Sequence, residues 1–245
     1  MSERRTIGFD RELRLEWLDA AAARAAVGAT PADARVYLNE HLADALGGEG
    51  RSGNRGKTVT VLCRIWVNVP HRCEQIQANA VGLLGVVEPE ERVALHWAMA
   101  MSAYPFFGEV ASVVGRLLDL QGDVERQAVI RRVVETWGDR PAVSRACRAV
   151  WTSMTGWGVL SETDRRGRYR RRTTLRHVSP AVAGLLCEVA NGGTDPSRMG
   201  PRETVVGPAL FPFDVSNTPN ARSVKARQVE VSLRASSSRP TIHRH

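Results

Sequence analysis

The sequence predicts a mostly α-helical protein in which an N-terminal helical domain is followed by three helices and a short β-hairpin. Apolar residues make up 43% of the 245 residues, which is typical of a globular protein and excludes wholesale disorder. Apolar side chains also recur at helical spacing along most of the chain. The net charge of +8 lies in one half, because residues 1–124 carry 13 basic and 16 acidic side chains and residues 125–245 carry 21 and 10. This asymmetry indicates a polyanion-binding half joined to a nearly neutral half.

Residues 1–105 are expected to form the helical domain, which would serve as a platform for a homodimer or another partner. Thr30 and Pro31 provide an N-cap and a proline at the first position of its second helix. Residues 58–69 are rich in β-branched side chains, but their length and position favour a helix. The predicted helices span residues 11–27, 31–46, 58–69, 71–85 and 88–104.

Residues 106–190 show a clearer pattern of three helices and a hairpin. The helices are predicted over residues 106–121, 124–137 and 141–156, with Asp139 as the cap of the third. Two strands, 159–163 and 168–178, then flank the turn at residues 164–167, and a last helix follows to about residue 191. This order is that of a winged helix-turn-helix, with the hairpin as the wing.

A winged helix-turn-helix binds duplex DNA because its third helix fits the major groove while the hairpin lies along the neighbouring backbone or minor groove. Helical spacing places three polar residues opposite the apolar face of the third helix, where they would enter the groove: Arg145, Arg148 and Thr152. Alternation along the second strand would place four arginines on one side. The predicted phosphate contacts are Arg165, Arg166, Arg168, Arg170, Arg172 and Arg176. The alternative is a solvated hairpin in an arginine-rich protein, which has 32 Arg and 2 Lys.

A glycine-rich basic loop over residues 47–56 resembles a phosphate-binding loop but lacks its spacing. The pattern G-x-x-x-x-G-K-[ST] requires glycine where the chain has Arg51, and a helix rather than a strand is predicted before the loop. Arg51, Arg55 and Lys57 instead precede or begin a helix, whose N-terminus favours anions, so a second set of phosphate contacts is predicted. The alternative is a mobile connector.

Several classes of protein are not expected. Residues 1–6 lead into no apolar region, so no signal peptide is expected, and the longest uncharged stretch has 16 residues, fewer than the roughly 20 a membrane-spanning helix needs. The four cysteines have no framework or zinc spacing, which predicts reduced thiols, a cytoplasmic location and no metal. No catalytic motif is present, and His96 beside Trp97 is interpreted as a core residue, so neither an enzyme nor a cofactor is expected.

The chain also resembles the BrxA accessory proteins of BREX phage-defence systems over about residues 10–178. The similarity lies in a helical pair ending in Asn39-Glu40-His41-Leu42, a basic loop, a helix that begins Lys57-Thr58 and contains Arg64, and a basic C-terminal module. The segment Tyr104–Phe107 and the arginine-rich hairpin depart from it. The resemblance implies a non-enzymatic DNA-binding component of a defence island, with other defence proteins as partners.

The sequence thus predicts a double-stranded DNA-binding protein, with two alternatives. One is a protein–protein adaptor that docks a partner through the winged helix, and the other is an RNA-binding factor. Residues 191–245 are expected to form an extended, partly disordered basic tail with a short apolar plug at residues 209–213.

Overall fold

The protein is mostly helical, as predicted, in a computed structural model that describes residues 7–48, 50, 53–172, 176–192 and 207–216. Its helices are α1 (Leu15–Ala26), α2 (Pro31–His41), α3 (Asn54–Trp66), α4 (Glu74–Leu84), α5 (Arg92–Ala103), α6 (Pro105–Gln121), α7 (Arg126–Trp137), α8 (Pro141–Gly156) and α9 (Pro180–Ala190). Its strands are β1 (Asp123–Glu125), β2 (Leu160–Glu162), β3 (Arg168–Arg171), β4 (Arg176–His177) and β5 (Phe213–Asp214). Single 3₁₀ turns cover residues 71–73, 89–91 and 208–210.

The helix boundaries follow local signals in the sequence. The hydroxyl of Thr30 accepts a hydrogen bond from the backbone N–H of Asp33 at 3.2 Å, which confirms Thr30 as the N-cap of α2. The predicted end of α2 at residue 46 is wrong, because the helix stops at His41 and turns follow. Pro105 both ends the preceding helical segment and begins α6, as a proline at the first helical position can.

A three-stranded antiparallel sheet in the order β1-β3-β2 lies beside α6, α7 and α8. The predicted second hairpin strand over residues 168–178 is wrong, since β3 ends at Arg171 and residues 173–175 lie outside the described part of the chain. Strand β4 instead pairs in parallel with β5, and the N–H of Arg176 donates to the carbonyl of Pro212 at 3.0 Å. The chain therefore leaves the hairpin to meet a segment that follows almost 40 residues later.

Trp97 of α5 is the centre of an aromatic cluster within the core. Its ring makes edge contacts with Phe107, Trp157, Phe211 and Phe213 at centroid distances of 5.0–6.0 Å. Its indole N–H donates to the carbonyl of residue 209 at 3.1 Å. The apolar segment 209–213 is therefore buried, and the core extends to Val215, within the region 191–245 that was predicted to be an extended tail.

The buried core is continuous between the N-terminal segment and α8. The backbone N–H of Leu13 donates to the hydroxyl of Ser153 at 2.9 Å, and the indole of Trp157 donates to the carbonyl of Leu13 at 2.7 Å. These contacts fix α8 relative to the first half of the chain. A division into domains at residue 105 stays a prediction.

Candidate nucleic-acid interface

Helix α8 has one buried and one exposed face. Val143, Cys147 and Val150 are fully buried, and Arg145 and Arg148 lie on the opposite, exposed side. Neither arginine side chain has an ion-pair or hydrogen-bond partner among the described residues. A guanidinium without an intramolecular partner has its five N–H donors available for an external anion or base edge.

The third predicted groove contact, Thr152, is only partly exposed. Its hydroxyl donates to the carbonyl of Arg148 at 3.0 Å, which leaves the oxygen able to accept. The predicted cap by Asp139 is wrong, because the N-cap residue of α8 is Arg140 and no side chain caps this helix. Gly138, whose φ is +85°, forms the sharp turn between α7 and α8.

Aromatic contacts fix the orientation of α8. Trp151 meets Tyr169 of β3 in an edge contact with ring centroids 5.1 Å apart, and Trp157 at the C-terminal end of α8 meets Phe107 of α6 at 5.7 Å. Most tryptophans were predicted to be core residues, and all six are buried. The helix is therefore held against both the sheet and α6.

A tight turn presents two arginines at the tip of the hairpin. The N–H of Thr163 donates to the carbonyl of Arg168 at 2.8 Å, and the N–H of Gly167 donates to the carboxylate of Glu162 at 2.7 Å. These bonds close the turn, and Arg165 and Arg166 between them are exposed. Among the described residues, neither guanidinium has a hydrogen-bond or ion-pair partner.

The outer face of the sheet already carries carboxylates that neutralise Arg168. Arg168 forms ion pairs with Asp123 and with Glu125, the latter at 2.9 Å. The hydrogen bond from Arg168 holds the pKa of Asp123 below its usual value, so the carboxylate stays ionised. Arg170, opposite Asp123 and Ser161 in the sheet, is exposed. Arg168 and Arg170 were both predicted to contact phosphate, but only Arg168 has ion-pair partners among the described residues.

The remaining strand arginines also differ from one another. Arg172 is exposed, whereas Arg176 donates to the carbonyls of Glu90 at 3.3 Å and Trp157 at 3.0 Å. Burial lowers the pKa of Arg176, and the nearby charge of Arg172 adds to this effect. The expected row of four arginines on one strand is wrong, because the strand ends before two of them and Arg176 joins the other sheet.

Arg171, which was not among the predicted contacts, is also held in place. It pairs with Asp119 at 2.8 Å, and its guanidinium lies 5.9 Å from the ring centroid of Phe211. The carboxylates that hold Arg168 and Arg171 lie more than 40 residues away in sequence, so no local pattern could have identified these pairs.

The three cationic residues of the basic loop have different environments. Arg51 lies outside the described residues, and Arg55 and Lys57 lie in the first turns of α3. Arg55 is partly buried, whereas Lys57 is exposed and lines a cleft together with Arg64 and Arg72. The sequence analysis did not identify this cleft, because its walls come from well-separated segments.

The four cysteines are buried and carry free thiols. Burial raises the pKa of Cys147 to about 12 and also raises that of Cys63, so both remain protonated and unreactive near neutral pH. Within the described residues, no three His, Cys, Asp or Glu side chains are placed to hold a metal ion. No helix in the same part of the chain has the length and apolarity to cross a membrane.

Comparison of the chain with protein-family models, with curated proteins and with solved structures finds no match. The function must therefore be inferred from the residues and their arrangement.

Proposed function

We propose that residues 105–172 form a winged helix-turn-helix that binds double-stranded DNA. The supporting topology is α6, β1, α7, α8, β2 and β3 in chain order, with the three strands in the spatial order β1-β3-β2. A short strand after the first helix, paired with the hairpin, is a feature of winged-helix folds and adds to the pattern predicted from the sequence. In this proposal α8 enters the major groove and the β2–β3 hairpin is the wing.

The observation that carries the proposal is a set of exposed arginines without protein partners on α8 and the wing. The described residues offer no ion pair or hydrogen bond to the guanidinium groups of Arg145, Arg148, Arg165, Arg166, Arg170 and Arg172. Exposed arginines without intramolecular partners can bind phosphate oxygens and the major-groove edge of guanine. Arg168 and Arg176 have intramolecular partners, so in this proposal they stabilise the wing and leave the phosphates to the unpaired arginines.

The resemblance to the BREX accessory proteins adds a biological role to the proposal. It supports a non-enzymatic component of a phage-defence system that binds DNA through residues 105–172 and contacts other defence proteins through its N-terminal helices. Purification of the intact complex from cells that express the neighbouring genes would identify such partners.

The DNA-binding proposal is tested by fluorescence anisotropy on two duplexes, a site selected from random sequence and a scrambled version. Arg145→Gln with Arg148→Gln should weaken binding to the selected site by about 1–3 kcal/mol per lost base contact and weaken binding to the scrambled duplex less. Replacement of Arg166, Arg170 and Arg172 by Gln should weaken both duplexes about equally and flatten the salt dependence. For the parent protein, four phosphate contacts from Arg165, Arg166, Arg170 and Arg172 predict an affinity loss on the order of a hundredfold between about 50 and 200 mM salt.

Two matched variants control for the loss of charge. Arg24→Gln removes a cation from α1, where Arg24 lies over the ring of Tyr37, and should bind as the parent does. Arg168→Gln removes a paired arginine and should change affinity far less than the unpaired arginines of the wing do. Absence of duplex binding at low salt would overturn the proposal and favour the adaptor, whereas tighter binding to A-form or single-stranded RNA would favour the RNA-binding alternative.

A further inference from the structure

A cleft of about 960 Å³ lies between α3, the α5–α6 junction and the end of α7. It belongs to the size range of sites for small organic molecules and is much larger than an inorganic phosphate needs. None of its lining residues comes from α8, β2 or β3, so it is distinct from the proposed DNA-binding face.

Three cationic side chains converge on the cleft. Lys57 and Arg64 lie seven residues apart on one face of α3, and Arg72 follows in the turn before α4. The guanidinium of Arg64 lies 5.5 Å from the ring centroid of Tyr104, and Arg72 donates to the carbonyl of Ser102 at 3.3 Å. These contacts position the two guanidinium groups and use only part of their N–H donors.

Two carboxylates also line the cleft, and each has an arginine partner. Asp10 lies 3.6 Å from the guanidinium of Arg11, and Glu109 lies 3.7 Å from that of Arg116. Neither arginine partner lines the cleft. The carboxylate charges are therefore partly compensated from outside, which leaves the three cations to attract an anion and the carboxylate oxygens to accept hydroxyl or amine hydrogens.

Tyr104 is a buried residue that contributes its hydroxyl group to the wall of the cleft. Only 4% of this residue is exposed, and its hydroxyl makes no hydrogen bond with a described residue. Burial raises the pKa of Tyr104, so the phenol remains a neutral donor at physiological pH. The ring is fixed by an edge contact with Phe9 at 5.7 Å and by Gly8, where a Cβ would lie 2.5 Å from Cε1 of Tyr104.

We propose that this cleft binds a free nucleoside triphosphate. The phosphates would pair with Lys57, Arg64 and Arg72, since arginine recognises phosphate oxygens through paired N–H groups. The ribose hydroxyls and the base would meet the carboxylates of Asp10 and Glu109 and the hydroxyl of Tyr104. A site that combines cations with hydrogen-bond acceptors suits a phosphorylated molecule with hydroxyl groups better than a bare polyphosphate. The proposal is independent of DNA binding.

Isothermal titration of the full-length protein with ATP and with GTP tests the proposal. Tripolyphosphate, adenosine and a short single-stranded oligonucleotide serve as comparison ligands. We expect one triphosphate to bind with a stoichiometry of one, at least tenfold tighter than tripolyphosphate or adenosine. Arg64→Gln with Arg72→Gln should weaken this binding tenfold or more, and Tyr104→Phe should weaken it by a smaller factor. Thermal unfolding of each variant confirms that the protein is folded.

A reciprocal control separates this site from the DNA-binding face. Arg145→Gln with Arg148→Gln should leave triphosphate binding unchanged, and Arg64→Gln with Arg72→Gln should leave duplex binding unchanged. The proposal is overturned if neither triphosphate binds, if the cleft variants bind as the parent does, or if tripolyphosphate binds as tightly as ATP. It is also overturned if an oligonucleotide competes for the cleft more tightly than either triphosphate.

Discussion

His96 of α5 is fully buried, and both nitrogens of its ring have partners. The indole N–H of Trp66 donates to Nδ1 at 3.2 Å, and Nε2 lies 3.1 Å from a carboxylate oxygen of Asp19. Because an indole N–H can only donate, Nδ1 must be unprotonated and Nε2 must carry the hydrogen. The ring therefore links α3, α5 and α1 as a neutral imidazole, in agreement with its interpretation as a core residue.

This arrangement predicts that acid weakens the fold through His96. Burial lowers the pKa of His96 below its ordinary 6.5, although the hydrogen bond and charge of Asp19 oppose the shift and the charge of Arg92 adds to it. The unfolded chain binds the proton first, so stability is fully present above about pH 6.5 and falls as the pH decreases below it. The slope can approach about 1.4 kcal/mol per pH unit for one proton.

The measurement is urea unfolding of the parent and of His96→Gln between pH 7.5 and 5. Glutamine can accept from Trp66 and donate to Asp19 but does not titrate, so the variant should show a flatter dependence on pH even if it is less stable. Burial alone would raise the pKa of Asp19, but the hydrogen bond from His96 and the nearby charge of Arg92 lower it below its usual value, so the contribution of Asp19 is lost only at lower pH. Equal slopes in the two proteins would contradict the role of His96.

At the scale of elements, α6 is shaped to accept the turn at residues 208–210. A Cβ added at Gly115 would overlap the carbonyl oxygen of Pro208, and it would lie 2.8 Å from the carbonyl carbon and 3.2 Å from Cβ of Phe211. Neither the backbone of the turn nor the packed ring can easily move. Glycine at this helical position therefore permits a close approach of two segments that the sequence alone does not connect.

Gly115→Ala should consequently destabilise the protein by about 1–3 kcal/mol, although alanine favours a helix more than glycine does. The matched control is Gly82→Ala in α4, where an added Cβ would meet no atom within 4 Å. That variant should be more stable by up to about 1 kcal/mol because only the helix propensity changes. Thermal unfolding of both variants measures the contrast, and a shift of the same sign in both would show that residue 208 does not restrict α6.

Local and non-local signals explain which elements could be predicted. Helix α8 was predicted with its observed bounds because Pro141 begins it and apolar side chains recur along one face. Strand β1 has three residues, and its partner β3 lies more than 40 positions away, so no local pattern indicated it. For the same reason, the ion-pair partners of Arg168 could not be identified from the sequence.

At the scale of the whole molecule, one hydrophobic core extends from Phe9 to Val215 across all described segments. Helical periodicity predicted most of the helices that build this core, but it gave no information on how they meet. The cleft beside Tyr104 depends on segments around residues 8, 57–64, 104–109 and 137, and the hydrogen bond from Trp157 to Leu13 spans 144 positions. Such contacts arise from the packing of complementary surfaces, which spacing along one element does not specify.

The end of this core predicts how far the chain can be shortened. Phe211 and Phe213 are buried against Trp97, and Val215 is the last core residue of the described chain. Removal of residues 217–245 should keep a cooperative thermal transition within a few degrees of the parent. Phe211→Ala with Phe213→Ala in the full-length chain should lower stability by several kcal/mol, because truncation of a buried phenylalanine costs about 3–5 kcal/mol. Calorimetry of both variants measures the difference, and loss of the transition in the shortened chain would place part of residues 217–245 in the core.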